Sequence, residues 1–321
     1  MRSLVARLVA VLLVSVGLLA APAADAQYPD RPIRVVVPWP PGATTDVAAR
    51  IFGERLAQKL NANVIVENRG GGNGIVGTNA VARAAPDGYT IEFATSEPLT
   101  INPHLQSVPY NVEKDLEPIA FIGKTFFVLA ARTDFPASDV ASTVALARSS
   151  SGTVTVGTYG IANLFLGSFE AATGSRYTAV PFQGAGPAIN AVMGAHVDLT
   201  LAASFSAAQH LRNGRIKLIA VGSAERLSFL PDTPTFIEQG IAGFEIGNWL
   251  SLFAPAGTPA SIRETLRKAT EEIVRSPDFV EKFRSIGVEA QYMGSEELRA
   301  FMRKDSARWA KVVADKGLKT E

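Results

Sequence analysis

The stretch that decides the fold is IRVVVPWPPGATTD, residues 33–46. Its first part is an apolar, β-branched run that predicts a buried strand at Ile33–Val37. A proline-rich turn follows, and apolar residues at helical spacing then predict a helix from about Thr45 to Leu60, with candidate caps at Thr44–Asp46. A strand that turns directly into a helix leaves N–H groups unpaired at the positive end of the helix dipole. The turn is therefore a candidate anion-binding site.

Strands and helices alternate along most of the chain. Further strands are predicted at Val64–Val66 and Tyr89–Ala94, and two apolar runs, Ile119–Ile122 and Phe126–Ala130, predict two more before the alternation restarts. Such alternation predicts parallel strands covered by helices, arranged here as two sets of β-α units. After a proline-punctuated region with one short helix and a strand, the remainder is predicted to be helical and to return to the first set.

The N-terminus has the features of a secretory signal peptide. Arg2 and Arg7 give a positive start, Leu8–Leu19 is almost wholly apolar, and Ala24-Asp25-Ala26 fits the small-x-small pattern before cleavage at Gln27. A membrane anchor is the alternative, but the apolar run is shorter than the ~20 residues that span a bilayer. We therefore expect an exported protein whose residues 1–26 are removed.

Composition excludes several classes of function. The formal net charge is +1, from 31 basic and 30 acidic residues, which gives no reason to expect nucleic acid or an anionic membrane surface as a partner. The absence of cysteine excludes disulfides, thiol catalysis, thiolate zinc sites and iron–sulfur clusters.

One run has the pattern of a dinucleotide site. Gly72-Asn73-Gly74-Ile75-Val76-Gly77 matches G-x-G-x-x-G, and Glu97 follows about 20 residues later. However, Glu67–Gly71 separate the first glycine from the preceding strand, and this is the second β-α unit instead of the first. We favour a closely packed helix entry, and keep an exported α/β enzyme or nucleotide-binding protein as the alternative.

Other catalytic patterns are incomplete. Gly123-Lys124-Thr125 resembles the end of a P-loop, but Pro118 stands where that motif needs glycine. The three histidines, His104, His196 and His210, form no metal-binding pair, and the sequence has no G-x-S-x-G elbow. We therefore expect no catalytic residues, no metal and no cofactor.

Two loops of the second set of β-α units are candidates for ligand binding. Gly157–Asn163 and Pro181–Gly186 each join a predicted strand to a predicted helix and would present free N–H groups. Any one of them is explained by a glycine-permitted turn. Several on facing lobes favour a ligand cleft, because ligands of open parallel sheets bind beyond the carboxyl ends of the strands.

An ordered set of motifs resembles the substrate-binding receptors of tripartite tricarboxylate transporters, the Bug family. The set spans the whole mature chain and is YPDRPIR at 28–34, VPWPPGATTD at 37–46, VENR at 66–69, APDGYT at 85–90, INP at 101–103, VPFQG at 180–184, LPDTPT at 230–235 and LFAPAGTP at 252–259.

The resemblance implies a periplasmic binding protein of the type II fold: two α/β lobes, each a mostly parallel sheet flanked by helices, joined by two crossovers with the ligand cleft between them. We expect lobe 1 at 27–125 and 227–321, lobe 2 at 126–226, and hinges near Lys124–Phe126 and Ala224–Leu227.

The resemblance also implies the ligand, the partners and the site. The ligand is a small organic acid, and the partners are the membrane subunits of the transporter; a sensor is an alternative partner. The protein is expected to be periplasmic and monomeric. The residues that match the family's pocket are Trp39, Pro41, Gly42, Ala43, Thr44, Thr95, Ser96, Thr158, Tyr159, Asn163, Gln183, Gly184, Ala185, Ala203 and Ser204.

This chain departs from the family pattern in ways that affect which acid binds. Ala43 replaces a second glycine, Ala202-Ala203 replace a frequent Asp-Asn pair, and Glu97 replaces a residue that is usually small and neutral. No Arg or Lys lies in the predicted pocket turns. We therefore expect the carboxylate to be held by backbone N–H groups, by the hydroxyls of Thr44, Thr95, Ser96 and Thr158, and by water.

Overall fold

The structure is a computed structural model that describes residues 28–149 and 153–317. The predicted signal peptide lies outside these residues. Within them no helix combines the length and the apolar character that crossing a membrane requires. The strands are β1 (Ile33–Val37), β2 (Val64–Asn68), β3 (Thr90–Thr95), β4 (Leu116–Ala131), β5 (Thr155–Thr158), β6 (Thr178–Pro181), β7 (Leu199–Ala203), β8 (Lys217–Val221), β9 (Gly247–Pro255) and β10 (Val288–Gly294).

Helices cover both faces of the strands. They are α1 (Thr44–Leu60), α2 (Ile75–Ala82), α3 (Asn102–Leu105), α4 (Val112–Asp115), α5 (Val140–Ser149), α6 (Ala162–Thr173), α7 (Ala185–Met193), α8 (Ser204–Arg212), α9 (Ala260–Arg275), α10 (Pro277–Arg284) and α11 (Ser295–Lys316). A 3₁₀ turn at Gly72–Gly74 precedes α2, and a π-helical turn at Glu97–Ile101 follows β3.

The first half of the molecule is built around β1. This strand pairs in parallel with β2 on one side and with β3 on the other. Ile33, Val35 and Val37 are completely buried and pack against α1, as the apolar pattern predicts. The sheet continues from β3 to the antiparallel β9 and from β9 to the antiparallel β4.

Strand β4 belongs to both halves. Its residues Leu116–Phe126 pair with β9, and its residues Phe127–Ala131 pair with β7 and β8. The prediction of two separate strands at Ile119–Ile122 and Phe126–Ala130 is wrong, because the strand continues through Gly123-Lys124-Thr125. Gly123 instead permits a close approach of β10: a Cβ there would lie 2.7 Å from the carbonyl oxygen of Glu289.

The second half repeats the β-α arrangement. Strand β5 pairs in parallel with β6 and β7, and β7 pairs in antiparallel fashion with β4. The α/β alternation is thus as predicted within each half, while the antiparallel pairs occur where β4, β8, β9 and β10 join the sheets.

The return to the first half lies at Ile246–Gly247. Here the N–H of Phe127 donates to the Ile246 carbonyl at 3.0 Å, and the N–H of Ile246 donates to the Gly222 carbonyl at 3.0 Å. Residues before this point pack in the second half, among them Leu227 and Phe236. Packing therefore places the return later than the expected boundary at 226, and the exact bounds of the two lobes stay a prediction.

Three further features of the C-terminal part differ from expectation. Residues 231–246 form turns in place of the predicted short helix. Strand β10 lies where only helices were expected. Helix α11 does not pack solely on the first half: Leu298 lies in a first-half cluster, whereas the Trp309 ring contacts Phe165 of the second half, with ring centroids 5.8 Å apart.

A buried carboxyl group lies inside the first half. Glu92 of β3 is completely buried and accepts a hydrogen bond from the Thr78 hydroxyl at 2.5 Å. Its Oε2 has no partner among the described residues. Burial raises the pKa of Glu92 to about 8 from its ordinary value of 4.5.

This raised pKa predicts how stability depends on pH. Neutral Glu92 contributes to the free energy of unfolding, and this contribution is fully present below pH 4.5 and is lost as the pH rises through 8. Between these values the free energy of unfolding falls by about 1.4 kcal/mol per pH unit. Urea unfolding at pH 5 and pH 8 should show a smaller loss of stability in Glu92→Gln than in the wild type. The exposed Glu54→Gln is the control; an equal loss in wild type and Glu92→Gln would contradict the assignment.

The crossing of β4 and β9 predicts a second effect on stability. A Cβ at Gly247 would lie 2.3 Å from the carbonyl oxygen of Thr125, so the two backbones must separate to accept it. Gly247→Ala should therefore lower the free energy of unfolding by about 1–3 kcal/mol. Gly186→Ala, where no atom lies within 4 Å of the added Cβ, serves as the control. Equal melting temperatures for the two variants would show that the crossing tolerates the added atom.

Candidate functional site

The turn between β1 and α1 is the first component of the site. Gly42 has a φ of +86°, which glycine adopts without strain, and Ala43 is the N-cap residue with φ −71° and ψ 157°. Helix α1 begins at Thr44, so the prediction that Thr44 and Thr45 are caps is wrong: they lie inside the helix. Asp46 instead reaches back and accepts the N–H of Gly42 at 2.9 Å.

A polar network holds this turn in place. The Asn68 amide donates to the Trp39 carbonyl at 3.0 Å and to Asp46 Oδ1 at 2.9 Å, and Arg50 pairs with Asp46 at 2.9 Å. Burial alone would raise the pKa of Asp46, but the hydrogen bonds from Arg50, the Gly42 N–H and Asn68 outweigh it and lower that pKa. Asp46 therefore stays ionised and fixes the turn.

The same turn keeps donors for a ligand. Helix geometry leaves the first four N–H groups, those of Ala43 to Asp46, without an intrahelical acceptor, and the first helical bond is donated by Val47 to the Ala43 carbonyl. Ala43 has no side-chain oxygen that could cap them. Ala43 and Thr44 are exposed, so their N–H groups lie at the protein surface, whereas Asp46 is buried. The N–H of Gly42, however, is already bonded to Asp46 and is no longer part of the predicted set of donors.

The end of β3 forms the floor behind this turn. The Trp39 indole N–H donates to the Thr95 hydroxyl at 3.0 Å, and Thr95 and Ser96 are both buried. The Ser96 hydroxyl donates to the Asn248 side-chain oxygen at 2.6 Å. These two hydroxyls, which were predicted to contact the ligand, are thus engaged with protein groups and orient the floor of the cleft.

Glu97 is the next residue and faces the cleft. Both of its carboxylate oxygens accept from the Asn248 amide at 2.8 Å. Burial raises the pKa of Glu97, hydrogen bonds from Thr95 and Asn248 oppose the shift, and the nearby Asp305 carboxylate adds to it. Asn248 has no counterpart in the sequence prediction, because it lies on β9, 152 positions from Ser96.

The second half contributes the loop between β5 and α6. The N–H groups of Ala162, Asn163 and Leu164 donate to the carbonyls of Tyr159, Gly160 and Ile161, so the prediction that these helix-entry groups are free is wrong. Tight 3₁₀-type turns at the helix entry use them.

Other predicted residues of the second half lie behind or beside this loop. Thr158 is completely buried, and Ser204 is buried at the start of α8. Burial raises the pKa of the Tyr159 hydroxyl, opposed by a hydrogen bond with the Ala203 backbone, which places these two residues in contact. Gln183, Gly184 and Ala185 form the entry to α7, where Gly184 is the N-cap.

A cavity of about 880 Å³ lies between the two halves. Three of the predicted ligand-binding residues, Trp39, Tyr159 and Asn163, are in its wall, and the others are not. The remaining wall residues are Asn73, Glu97, Ile101, Asn102, Leu105, Phe127, Gly160, Ile161, Leu164, Leu166, Gly167, Glu170, Arg176, Tyr177 and Ala179.

The wall of the cavity on α6 has an apolar middle, formed by Leu164, Leu166 and Gly167. This wall extends from Asn163 to Glu170, which is about 10 Å along the helix axis. Ile101 and Leu105 of the first half face this helix across the cavity. Arg176 is a cation that the sequence prediction missed, since it lies outside the predicted turns.

The glycine-rich run at 72–77 has a packing role. A Cβ at Gly77 would lie 2.7 Å from Pro38 Cα and 2.8 Å from the Arg69 carbonyl oxygen. Gly77 therefore lets α2 approach the turn that follows β1. The expectation of a closely packed helix entry agrees with these distances. Within the part of the chain that the structure describes, no cluster of His, Asp or Glu is arranged to hold a metal ion.

Comparison with known proteins identifies relatives that match most of the chain. Residues 48–318 match the profile of the tripartite tricarboxylate transporter family receptor. Protein BugT of Bordetella pertussis is 32% identical over 306 residues, which are 94% of each chain.

Two solved structures of similar fold carry ligands. A protein of R. palustris solved with adipate has a TM-score of 0.79 and 28% identity, covering 90% of this chain and 98% of its own. MatC of Rhodopseudomonas palustris, solved with bound malate, has a TM-score of 0.75 and 29% identity, covering 89% and 100%.

These similarities confirm the predicted two-lobed α/β class of periplasmic binding proteins. The family consists of periplasmic substrate-binding receptors that serve transporters, and its members are not enzymes. The chain belongs to the tripartite tricarboxylate transporter receptor family.

Proposed function

We propose that this receptor captures a small organic acid in the cavity between its two halves. The observation that carries the proposal is the turn from Trp39 to Asp46. Polar contacts fix this turn, and its N–H groups at the helix N-terminus have no intrahelical acceptor. The adipate and malate held by two similar proteins support an acid as the ligand class.

We further propose how the receptor operates. The acid is handed to the membrane subunits of a tripartite transporter by a monomeric, periplasmic protein from which residues 1–26 have been cleaved. The two lobes close on the acid by bending where the chain crosses, at Thr125–Phe127 and Ile246–Gly247. The backbone pairing at the second crossing supports this position over the expected hinge at Ala224–Leu227. Delivery to a sensor would use the same cleft.

The carboxylate has two candidate partners in the cleft. The turn offers backbone donors, whereas Arg176 offers a side-chain cation on the wall of the second half, past the C-terminal end of α6. We assign the carboxylate to the turn, because its donors are held rigidly by Asp46 and Asn68.

A proline substitution tests this assignment. Ala43 has φ −71°, which proline adopts, so Ala43→Pro should fold while losing one N–H from the turn. Isothermal titration with the tightest-binding acid from a panel that includes adipate and malate should show at least about a tenfold loss of affinity, equivalent to about 1.4 kcal/mol. Thr44→Ala, which keeps the backbone donor, should stay close to wild type.

The alternative site is tested by Arg176→Gln. If this variant loses binding while Ala43→Pro retains it, the carboxylate is held by the side chain and the backbone-donor mechanism is wrong. Melting temperatures of all three variants, measured without ligand, establish that each is folded.

A further inference from the structure

The wall of the proposed acid-binding cavity contains a carboxylate, that of Glu97. Glu97 lies in the same wall as Trp39, and Thr95 hydrogen-bonds both residues. An acid whose carboxylate binds at the Trp39 turn would bring a second negative charge close to Glu97. Like charges at such a distance repel each other unless a cation lies between them.

The structure fixes the orientation of Glu97. The Asn248 side-chain oxygen accepts from the backbone N–H groups of Ser96 at 3.0 Å and Trp249 at 2.9 Å, and from the Ser96 hydroxyl. Because backbone N–H groups only donate, this oxygen is identified, and the Asn248 amide nitrogen must point at Glu97. Glu97 is therefore held in place as an acceptor of the Asn248 amide, and it lies in the cavity wall.

No Lys, Arg or His of residues 28–149 and 153–317 forms an ion pair with Glu97, and the Arg308 cation is paired with Asp305 at 3.0 Å. The hydrogen-bond donors of Glu97 are Asn248 and Thr95, which are neutral, and the charge that acts on Glu97 is the like charge of Asp305. Burial raises the pKa of Glu97, and the Asp305 carboxylate adds to the shift. A cationic group of a ligand would remove this cost by pairing with the carboxylate.

The surroundings of Glu97 suit an ammonium group. The Trp39 indole edge is fixed by its bond to Thr95, and Tyr159 and Phe127 are further aromatic residues of the same wall. Aromatic faces beside a carboxylate attract organic cations. Arg176 lies in the wall near the far end of α6, beyond the apolar middle.

We propose that Glu97 binds the ammonium group of the ligand, so that the acid captured by this receptor is an amino acid whose carboxylate lies at the Trp39 turn. This inference rests on the proposed function, because it uses the same cavity and the same carboxylate site. Asn248 is a positioning residue: it aims Glu97 and does not itself contact the ligand.

Matched ligands separate the contribution of the ammonium group to affinity from the contribution of the rest of the acid. Isothermal titration would compare three series, each with an amino, a hydroxy and an unsubstituted acid: aspartate, malate and succinate; glutamate, 2-hydroxyglutarate and glutarate; phenylalanine, phenyllactate and phenylpropionate. In the series that binds best, the amino acid should be favoured at least about tenfold over both analogues, equivalent to about 1.4 kcal/mol. Glu97→Gln should remove most of this preference. Glu54→Gln, an identical charge change on an exposed surface of the first half, should retain it.

The outcomes distinguish this inference from the proposed function. An unsubstituted acid that binds as well as its amino counterpart overturns the inference and leaves the acid-binding function standing. Equal binding of the hydroxy and amino acids also overturns it, because Glu97 would then select a neutral donor. If neither the acids of the three series nor adipate binds, both fall. Retention of the preference in Glu97→Gln places the ammonium elsewhere and overturns the inference.

Discussion

The cleft depends on one extended strand that belongs to two sheets. Strand β4 pairs with β9 up to Phe126 and with β7 and β8 from Phe127 onward, so the two halves share a continuous backbone. The returning chain crosses beside it, where Gly247 approaches the Thr125 carbonyl too closely for any side chain. This crossing sets the position of the cavity, because Phe127 is in the cavity wall and Asn248 reaches the floor.

The first-half turn shows how polar groups are divided between structure and binding. Asp46 uses its charge to hold the Gly42 N–H and to pair with Arg50, and Asn68 ties the arrangement to the Trp39 carbonyl. Such a network is stable only when each buried group has a partner. The N–H groups at the start of α1 have no acceptor within the helix, and they are the donors available to an acid. The second half differs, since its loop at Tyr159–Asn163 uses helix-entry donors internally.

The strand–turn–helix unit could be predicted from the sequence because its signals are local. The apolar run at Ile33–Val37 and the periodic residues of α1 determine both elements, and Trp39, one of the predicted ligand-binding residues, lies in the cavity wall. The sequence predicted two strands where the structure has the single strand β4. Gly123 lies within this strand because β10 approaches it closely, and this contact between distant parts of the chain has no local signal.

The same limitation explains which site residues were missed. Asn248 and Ser96 are 152 positions apart, and nothing near Asn248 in the sequence indicates that it will orient Glu97. The predicted hydroxyl contacts of Thr95 and Ser96 could not be tested by sequence pattern either, because their partners, the Trp39 indole and Asn248, become neighbours only in the fold.

The central claim is that an acid binds between the two halves and contacts both of them. Hydrogen–deuterium exchange measured with and without a saturating concentration of the tightest-binding acid tests it directly. The account predicts slower exchange in peptides that cover Trp39–Asp46 and in peptides that cover Tyr159–Asn163. Protection confined to one half, or found only outside both segments, would contradict it.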